Sequence, residues 1–408
     1  MKTKVCVIGI GYVGLPIFLN LSKTIKVTGF DINKKRIIKL NEFVDIYKEF
    51  KKNEIKLFKK SKSILTSNIA DINECNFFIV TVPTPIFKNK NPDLRILINS
   101  CKLIGKILKK DDIIFFESTV YPGVTNKICR ITLEKISGLK SSKDFFLGYS
   151  PERINPGDKT KKLSTINKIV AFNDNNLKRI KVVKDIFKKI SKKITYTKDL
   201  ESAETAKVIE NIQRDLNIGL FNEIYKFCDK ANINFKEVIR LASTKWNFIK
   251  FKPGLVGGHC LPVDPYYLSY ISKKHKLKME ILLAGRNVNN QMEIYVYKKI
   301  LSELNKHKLN LKNKILIAGE SYKPNVGDQR NSIAQKIIVK LLKRNNKIKV
   351  FDPTIDNKYF YKSYRINLLN YRNKYDAIIQ LVDHDIGYKE IKKYLNKNKK
   401  TIFINIFN

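Results

Sequence analysis

Residues 5–21 read Val-Cys-Val-Ile-Gly-Ile-Gly-Tyr-Val-Gly-Leu-Pro-Ile-Phe-Leu-Asn-Leu, and this stretch decides the fold. A short apolar run, Val5–Ile8, leads directly into Gly9-Ile10-Gly11-Tyr12-Val13-Gly14, and a helical pattern follows through Leu21. Strand, G-x-G-x-x-G and helix in that order form the context of a dinucleotide fingerprint. The glycines permit a tight turn and close backbone approach, and the helix N-terminus faces a pyrophosphate. Asp31 closes the next apolar run, Val27–Phe30, at the distance from which an acid holds the adenosine ribose hydroxyls. A carboxylate there repels a 2′-phosphate, so NAD is favoured over NADP, with Lys34 and Arg36 as the residues that argue the other way.

Outward from that turn, apolar runs at Phe77–Val82, Ile113–Phe116 and Phe145–Leu147 alternate with amphipathic stretches, the rhythm of βαβ units around a parallel sheet. Near residue 200 the rhythm changes. Ile209, Ile212, Leu216, Leu220, Ile224 and Phe227 recur at steps of three and four, which predicts one long helix. Strand-like runs resume at Lys314–Ala318, Lys347–Phe351, Ala377–Val382 and Thr401–Ile404. The expected fold class is therefore α/β, with two such domains joined by a central helical segment: 1–197, 198–297 and 298–408.

The chain has 408 residues with 43% hydrophobic content, enough for more than one core. Its 80 Lys+Arg against 37 Asp+Glu give a net charge of +43. That excess is spread along the whole chain rather than gathered in a tail or stripe, so it reads as solvated faces that attract an anionic substrate, and a nucleic-acid partner is not expected. No apolar run reaches the ~18 residues of a membrane span. Six scattered cysteines without a CxxC pair indicate neither a disulfide framework nor a zinc site, so no metal is expected, and a reducing cytoplasm fits best.

Two further strand ends carry polar groups that should border the nicotinamide: Thr81-Val82-Pro83-Thr84-Pro85 and Glu117-Ser118-Thr119. Ligands of open α/β sheets bind at such ends. Taken singly, each is also ordinary turn chemistry. The segment Gly254 to Asp264, GLVGGHCLPVD, places Cys260 among glycines with His259 and Asp264 nearby, the setting of an exposed nucleophile. Burial is the commoner fate of a cysteine and is expected for the other five. On the long helix, Lys207, Asn211 and Arg214 share the face opposite the apolar stripe. They form either a solvated polar face or an oxyanion pair, Lys207 and Asn211, with Arg214 near a substrate charge.

Together, GIGYVGLP, TVPTP, ESTVYPG, SPERINPGD, SAETAKVIEN, GLVGGHCLPVDPYYL and YKPNVGDQRNS resemble the UDP-glucose/GDP-mannose dehydrogenase family, in the right order over nearly the whole chain. SPERINPGD, IENIQRDLNI and KWNFIKFKPGLVGGHC resemble its UDP-N-acetylhexosamine branch, that of Vi-antigen biosynthesis, which acts on UDP-GlcNAc or its galacto epimer. The resemblance implies two Rossmann-like doubly wound domains joined by a long central helix that also forms a homodimer. It implies NAD at the first domain and the UDP part of the substrate at the last. The implied reaction oxidises C6 of the sugar to a uronate, for surface polysaccharide precursors, through a thiohemiacetal and a thioester on Cys260. Lys207 and Asn211 would stabilise the oxyanions, while Asp264, Glu152 and Thr119 would act on water. Gly9, Gly11, Tyr12, Val13, Gly14, Asp31, Arg36, Pro83, Thr84, Thr119 and Arg330 would meet the cofactor. Glu152, Arg153, Lys207, Asn211, Arg214, Gly257, Arg286 and Lys323 would meet the substrate, and Asp328 matches a position that contacts one or the other. Pro156 stands where UDP-glucose enzymes carry a second glutamate, which puts the identity of the water-activating base in question. Alternatives are a UDP-glucose or UDP-ManNAc 6-dehydrogenase, a two-electron hydroxyacid dehydrogenase, and, outside enzymes, an NAD-sensing nucleic-acid binder.

Overall fold

The computed structural model describes residues 3–47, 50–154, 163–358 and 362–407. It divides into two compact units, Met1–Glu210 with Tyr266–Lys278, and Asn211–Pro265 with Met279–Asn408.

In the first unit, the strands β1 (Val5–Ile8), β2 (Val27–Phe30), β3 (Ile64–Thr66), β4 (Phe77–Val80), β5 (Ile113–Phe116), β6 (Phe146–Tyr149), β7 (Lys168–Phe172) and β8 (Ile194–Thr197) form one sheet. Its order is β3-β2-β1-β4-β5-β6-β7-β8. The first six follow the doubly wound pattern, in which strand order reverses beside β1 and leaves a crevice at the carboxyl ends. All neighbours pair in parallel except β6 and β7, which run antiparallel with Gly148 opposite Phe172. Strands β3, β7 and β8 were not foreseen; β7 and β8 hide behind a lysine and threonines in runs too short for clear periodicity. β1, β2, β4 and β5 are buried along their whole length, as the continuous apolar runs require of a sheet covered on both faces.

The second unit holds β9 (Ile315–Ala318), β10 (Lys349–Phe351), β11 (Arg365–Ile366), β12 (Ala377–Gln380) and β13 (Ile402–Asn405), all parallel, in the order β11-β10-β9-β12-β13. Its central crossing repeats that of the first sheet. Gly9 donates its N–H to Phe30 at 2.8 Å and Gly319 donates to Phe351 at 2.9 Å, each glycine at φ +91°. Asp31 accepts the Ile10 amide at 2.8 Å, and Asp352 accepts the Glu320 amide at the same distance. In the second sheet, however, Asp352 also takes the Ser321 amide, the Thr354 hydroxyl and the ring of buried His384, so protein groups fill the place that lies open beside Asp31.

The long helix spans Leu200–Lys230. Glu204, Lys207, Asn211, Asp215 and Asn222 are buried, and the apolar stripe is divided, Ile212 being buried while Ile209, Leu220 and Phe227 are 51%, 52% and 63% exposed. The polar face turns inward because its members find partners: Glu204 takes the amides of Gly123 and Thr125, and Asn222 bonds Gly254 and Asn289. Among the described residues, no helix is long and apolar enough to cross a membrane, and no three His, Cys, Asp or Glu side chains cluster as a metal site.

Gly148 is tightly packed: an added Cβ would lie 2.3 Å from the ring of fully buried Phe115. Gly148→Ala is expected to cost about 1–3 kcal/mol, seen as a lower denaturation midpoint, and an unchanged midpoint would contradict this packing.

Candidate active site

At the carboxyl end of β1, Gly9 takes a positive φ against the backbone of Val82. A Cβ on Gly14 would fall 1.9 Å from the Gly9 carbonyl, so only glycine allows the helix Gly14–Leu21 to start so close to the strand. Gly11 differs: a Cβ there meets nothing within 4 Å. Protein packing does not demand that glycine, and the space beside it suits the close approach of a pyrophosphate. The helix begins at Val13 without a side-chain cap or a first-turn acid, so its amides can face an anion. Asp31 is half-buried and braced by the amides of Ile10 and Asn33, each at 2.8 Å. These residues fit a dinucleotide.

Arg36 is used otherwise than the motif suggested. It is 6% exposed, its guanidinium bonds Asp45 at 2.8 Å and the Ile10 carbonyl at 3.2 Å, and it stacks on Tyr47. It supports the glycine turn from behind with its charge matched by Asp45, which removes the main argument for a 2′-phosphate. Tyr12 also packs on Tyr47, with ring centroids 4.3 Å apart. The β4 and β5 ends are tied together: Thr84 donates to the Thr119 carbonyl at 2.6 Å, and Ser118 donates to Val82 at 2.6 Å. Tyr267 secures the Thr84 carbonyl at 2.6 Å, beside exposed Pro83.

Beyond β5 and β6 lies a buried charge cluster. Lys168 Nζ is 2.6 Å from a Glu117 oxygen and 3.7 Å from a Glu152 oxygen. Burial pushes the Glu117 carboxyl up to about 7 against the pull of Lys168. Glu152 accepts the amides of Arg153 and Ile154, and its carbonyl accepts from Lys207 Nζ. Arg153 pairs with Glu210 at 2.7 Å. Sequence reasoning missed Lys168 altogether; the signal was a lysine opening an otherwise apolar run, KIVAF. Asn155, Pro156, Gly157 and Asp158 of SPERINPGD lie outside the described residues.

In the second unit, Cys260 is exposed and the other cysteines are buried, as expected. Its loop is held from several sides. The Cys260 carbonyl accepts the amides of Val263 and Asp264, and the Asp264 carboxylate, 1% exposed, accepts from Asn211 Nδ2 at 2.5 Å. Gly258, at φ +84°, lies so close to the Tyr322 ring that a Cβ would fall 2.9 Å from it. Gly257 likewise abuts the Asn331 carbonyl, and Asn331 bonds the Gly258 carbonyl at 3.0 Å. Arg286, 1% exposed, pairs with Asp215, and burial pushes the Asp215 carboxyl up to about 6 against that pairing. Asn289 braces the same carboxylate.

His259 is pushed down to about 4 by burial and then by the Arg330 charge, which makes its ring neutral at pH 7. Arg330 spans Asp328 and His259 Nε2, at 2.8 and 3.2 Å. Lys323 is half-buried, and its carbonyl accepts from Ser321. Arg214 is exposed, off the buried row that holds Lys207 and Asn211.

Three family models cover the chain: the NAD binding domain of the UDP-glucose/GDP-mannose dehydrogenase family at residues 3–191, its central domain at 201–291 and its UDP binding domain at 316–408. The chain is 40% identical to the UDP-N-acetyl-D-glucosamine 6-dehydrogenase of Salmonella typhi, over 98% of this chain and 95% of that one. It is 41% identical to the enzyme of that name from Pseudomonas aeruginosa, over 96% and 93%. Among solved structures, the UDP-D-ManNAc dehydrogenase of Pyrococcus horikoshii superposes with a TM-score of 0.84 at 27% identity, covering 99% of this chain and 95% of that one. Fingerprint, ribose-side acid and family models converge: the chain belongs to the UDP-glucose/GDP-mannose dehydrogenase family and is an NAD-dependent nucleotide-sugar dehydrogenase, an oxidoreductase with a UDP-sugar as its substrate.

Proposed function

We propose that the chain oxidises the C6 hydroxyl of a UDP-N-acetylhexosamine, UDP-GlcNAc or its galacto epimer, to the uronate through a thioester on Cys260. The observation that carries this reading is a single exposed thiol on a loop fixed from several sides. The names of the Salmonella and Pseudomonas relatives favour the gluco sugar. The Pyrococcus structure favours UDP-ManNAc as the second reading.

Bound NAD supplies the hydride acceptor for each of the two oxidations. Loss of a hydride and a proton turns the C6 alcohol into an aldehyde. Cys260 Sγ adds to the aldehyde carbon and holds it as a thiohemiacetal, which prevents its escape. Loss of the second hydride and the hydroxyl proton leaves a thioester. Water adds to its carbonyl, the C–S bond breaks, and the thiol regains a proton as the carboxylate leaves. Lys207 and Asn211 are the proposed donors to the oxyanions. An ammonium carries three donors and a carboxamide two, so the bonds to the Glu152 carbonyl and to Asp264 exhaust neither. Each well-aimed donor is worth ~3 kcal/mol in the transition state. Glu152, Asp264 and Thr119 are assigned to the water, and neutral His259 is left to orient the loop.

The proposal extends to organisation: domains at 1–197, 198–297 and 298–408, a reducing cytoplasm suited to the exposed thiol, and a role in making surface polysaccharide precursors. It includes a homodimer. In the second unit Leu220, Phe227, Leu241, Trp246, Ile249 and Ile281 are all more than half exposed. A second copy offers the same stripe about a two-fold axis, the self-complementary arrangement of most homodimers.

Wild-type protein should form two NADH per UDP-GlcNAc and outpace its reaction with UDP-GalNAc, UDP-ManNAc and UDP-glucose, whereas Cys260→Ser should yield no uronate; undiminished uronate from that variant would sink the thioester. Asp31→Ala should weaken NAD binding roughly tenfold or more by calorimetry, since a charge-assisted hydrogen bond is worth about 1.5–3 kcal/mol, and unchanged affinity would remove its ribose role. Leu220→Asp with Phe227→Asp should give a monomer in light scattering, and a persisting dimer would move the interface elsewhere.

A further inference from the structure

His384 occupies the N-cap position of the helix Asp385–Lys397 and makes no cap bond to that helix. Ser, Thr, Asp or Asn would serve a helix end better. The ring, 2% exposed, is spent on the turn that follows β9. Its Nδ1 is 3.0 Å from the Asn325 amide nitrogen, and its Nε2 is 3.1 Å from Ser321 Oγ and 3.2 Å from Asp352 Oδ2. A backbone amide can only donate, so Nδ1 accepts and the ring hydrogen sits on Nε2. The same Asp352 oxygen takes the amides of Glu320 and Ser321, at 2.8 and 2.9 Å. Ser321, His384 and Asp352 are the residue types of a hydrolytic triad, but there opposite ring nitrogens face serine and aspartate. Here one nitrogen faces both, so the group holds structure and relays no proton.

Asn325 stands at φ +61°, a conformation uncommon outside glycine. Its Nδ2 donates to Asp385 Oδ2 at 2.9 Å, and its Oδ1 accepts the Asp385 amide at 3.1 Å. With the Asn325 amide on His384, the turn 321–325 is pinned to the start of that helix. Tyr322 carries the constraint onward within the second unit. Its amide donates to the Asp328 carbonyl at 3.0 Å. Its ring lies against Gly258, where a Cβ would fall 2.9 Å away, with its centroid 6.3 Å from that of His259. The far end of the same loop has anchors of its own: Arg365 donates to Gln329 at 3.0 Å, and Asn331 donates to the Gly258 carbonyl at 3.0 Å. Tyr322 is therefore the near-end contact with the Cys260 loop, and its placement depends on the turn that His384 secures.

We infer that His384 is a positioning residue for Cys260: by accepting the Asn325 amide on Nδ1 it sets the turn 321–325, and through Tyr322 against Gly258 it fixes the loop that carries the thiol. This rests on Cys260 as the nucleophile, proposed above. Nδ1 is the operative half of the ring, while the Nε2 hydrogen serves Asp352 and Ser321. A reacting atom misplaced by about 1 Å loses up to about a hundredfold in rate, so a hydrogen bond remote from the thiol bears on turnover.

Three substitutions separate the halves of the ring. His384→Asn keeps an acceptor near the place of Nδ1, His384→Gln keeps a donor near that of Nε2, and His384→Phe keeps neither. Deuterium exchange at the Asn325 amide reads the bond itself. A nitroxide attached to Cys260, the exposed thiol, reads the loop through its paramagnetic resonance line shape. In the Gln and Phe variants the Asn325 amide should exchange roughly tenfold faster, the worth of one hydrogen bond. Their nitroxide spectra should shift to faster motion, and kcat for uronate formation should fall roughly tenfold or more. His384→Asn should restore the wild-type behaviour in all three. Where its side chain caps its own helix instead, the Asn325 amide exchanges fast and the nitroxide loosens with it. A merely structural histidine would lower the denaturation midpoint and leave the line shape unchanged. Fast exchange at Asn325 with an unchanged nitroxide spectrum overturns the inference, as does wild-type exchange in His384→Gln. Should His384→Phe fail to fold, the Gln and Asn variants still decide. Failure of the nucleophile reading is separately visible as uronate from Cys260→Ser, and leaves the exchange and nitroxide results standing.

Discussion

The inward polar face of the helix Leu200–Lys230 is the constraint on which the functional architecture depends. Burying Glu204, Lys207, Asn211, Asp215 and Asn222 on one helix is tolerable only if each meets a partner, since an unpaired buried polar group costs about 1–3 kcal/mol. Each does. Glu204 caps the turn at Gly123, Lys207 takes the Glu152 carbonyl, Asn211 takes Asp264, Asp215 takes Arg286, and Asn222 holds Gly254. Those partners are the backbone and side chains of segments to which the proposed chemistry is assigned. The helix therefore fixes loops by hydrogen bonds whose geometry is specific, where apolar packing alone would let them slide.

The cofactor end was legible because its information is local. Gly9 to Gly14, the preceding strand and Asp31 fall within one βαβ unit, and each glycine is explained by a turn, a close approach or open space. The exposure of Cys260 was legible for a related reason, as its glycines and Asp264 are sequence neighbours. The direction of the long helix was not. Periodicity shows that Ile209, Leu220 and Phe227 share a side but is silent on how much of that side faces the core: those three are exposed, whereas Ile212, Phe221 and Tyr225 of the same helix are buried. Lys168 was hidden by distance, standing 51 residues from Glu117 and reaching it only because β7 reverses. Arg36 misled in the opposite sense: a basic residue near the ribose-side acid proved to be bound to Asp45 beneath the glycine turn.

The two sheets show how one backbone device can serve two ends. A glycine at φ +91° and an aspartate accepting the next amide occur at both crossings. At Asp31 the carboxylate stays half-buried, available to ribose hydroxyls. At Asp352 the hydroxyl of Thr354 and the ring of His384 complete it, so the same geometry becomes a staple for the loop that carries Lys323, Asp328 and Arg330.

The reversed strand β7 bears on how such a protein can change over generations. In a wholly parallel sheet, residues at the ligand end come from loops, which drift readily in length and composition. A strand run backwards delivers a residue to that end from inside a hydrogen-bonded ladder, paired on one side with β6 and on the other with β8. An insertion beside Lys168 would shift the register of a whole strand, and every side chain with it. The neighbouring loops are thus at liberty to drift, while the charge at the heart of the cluster is anchored where drift is most heavily penalised.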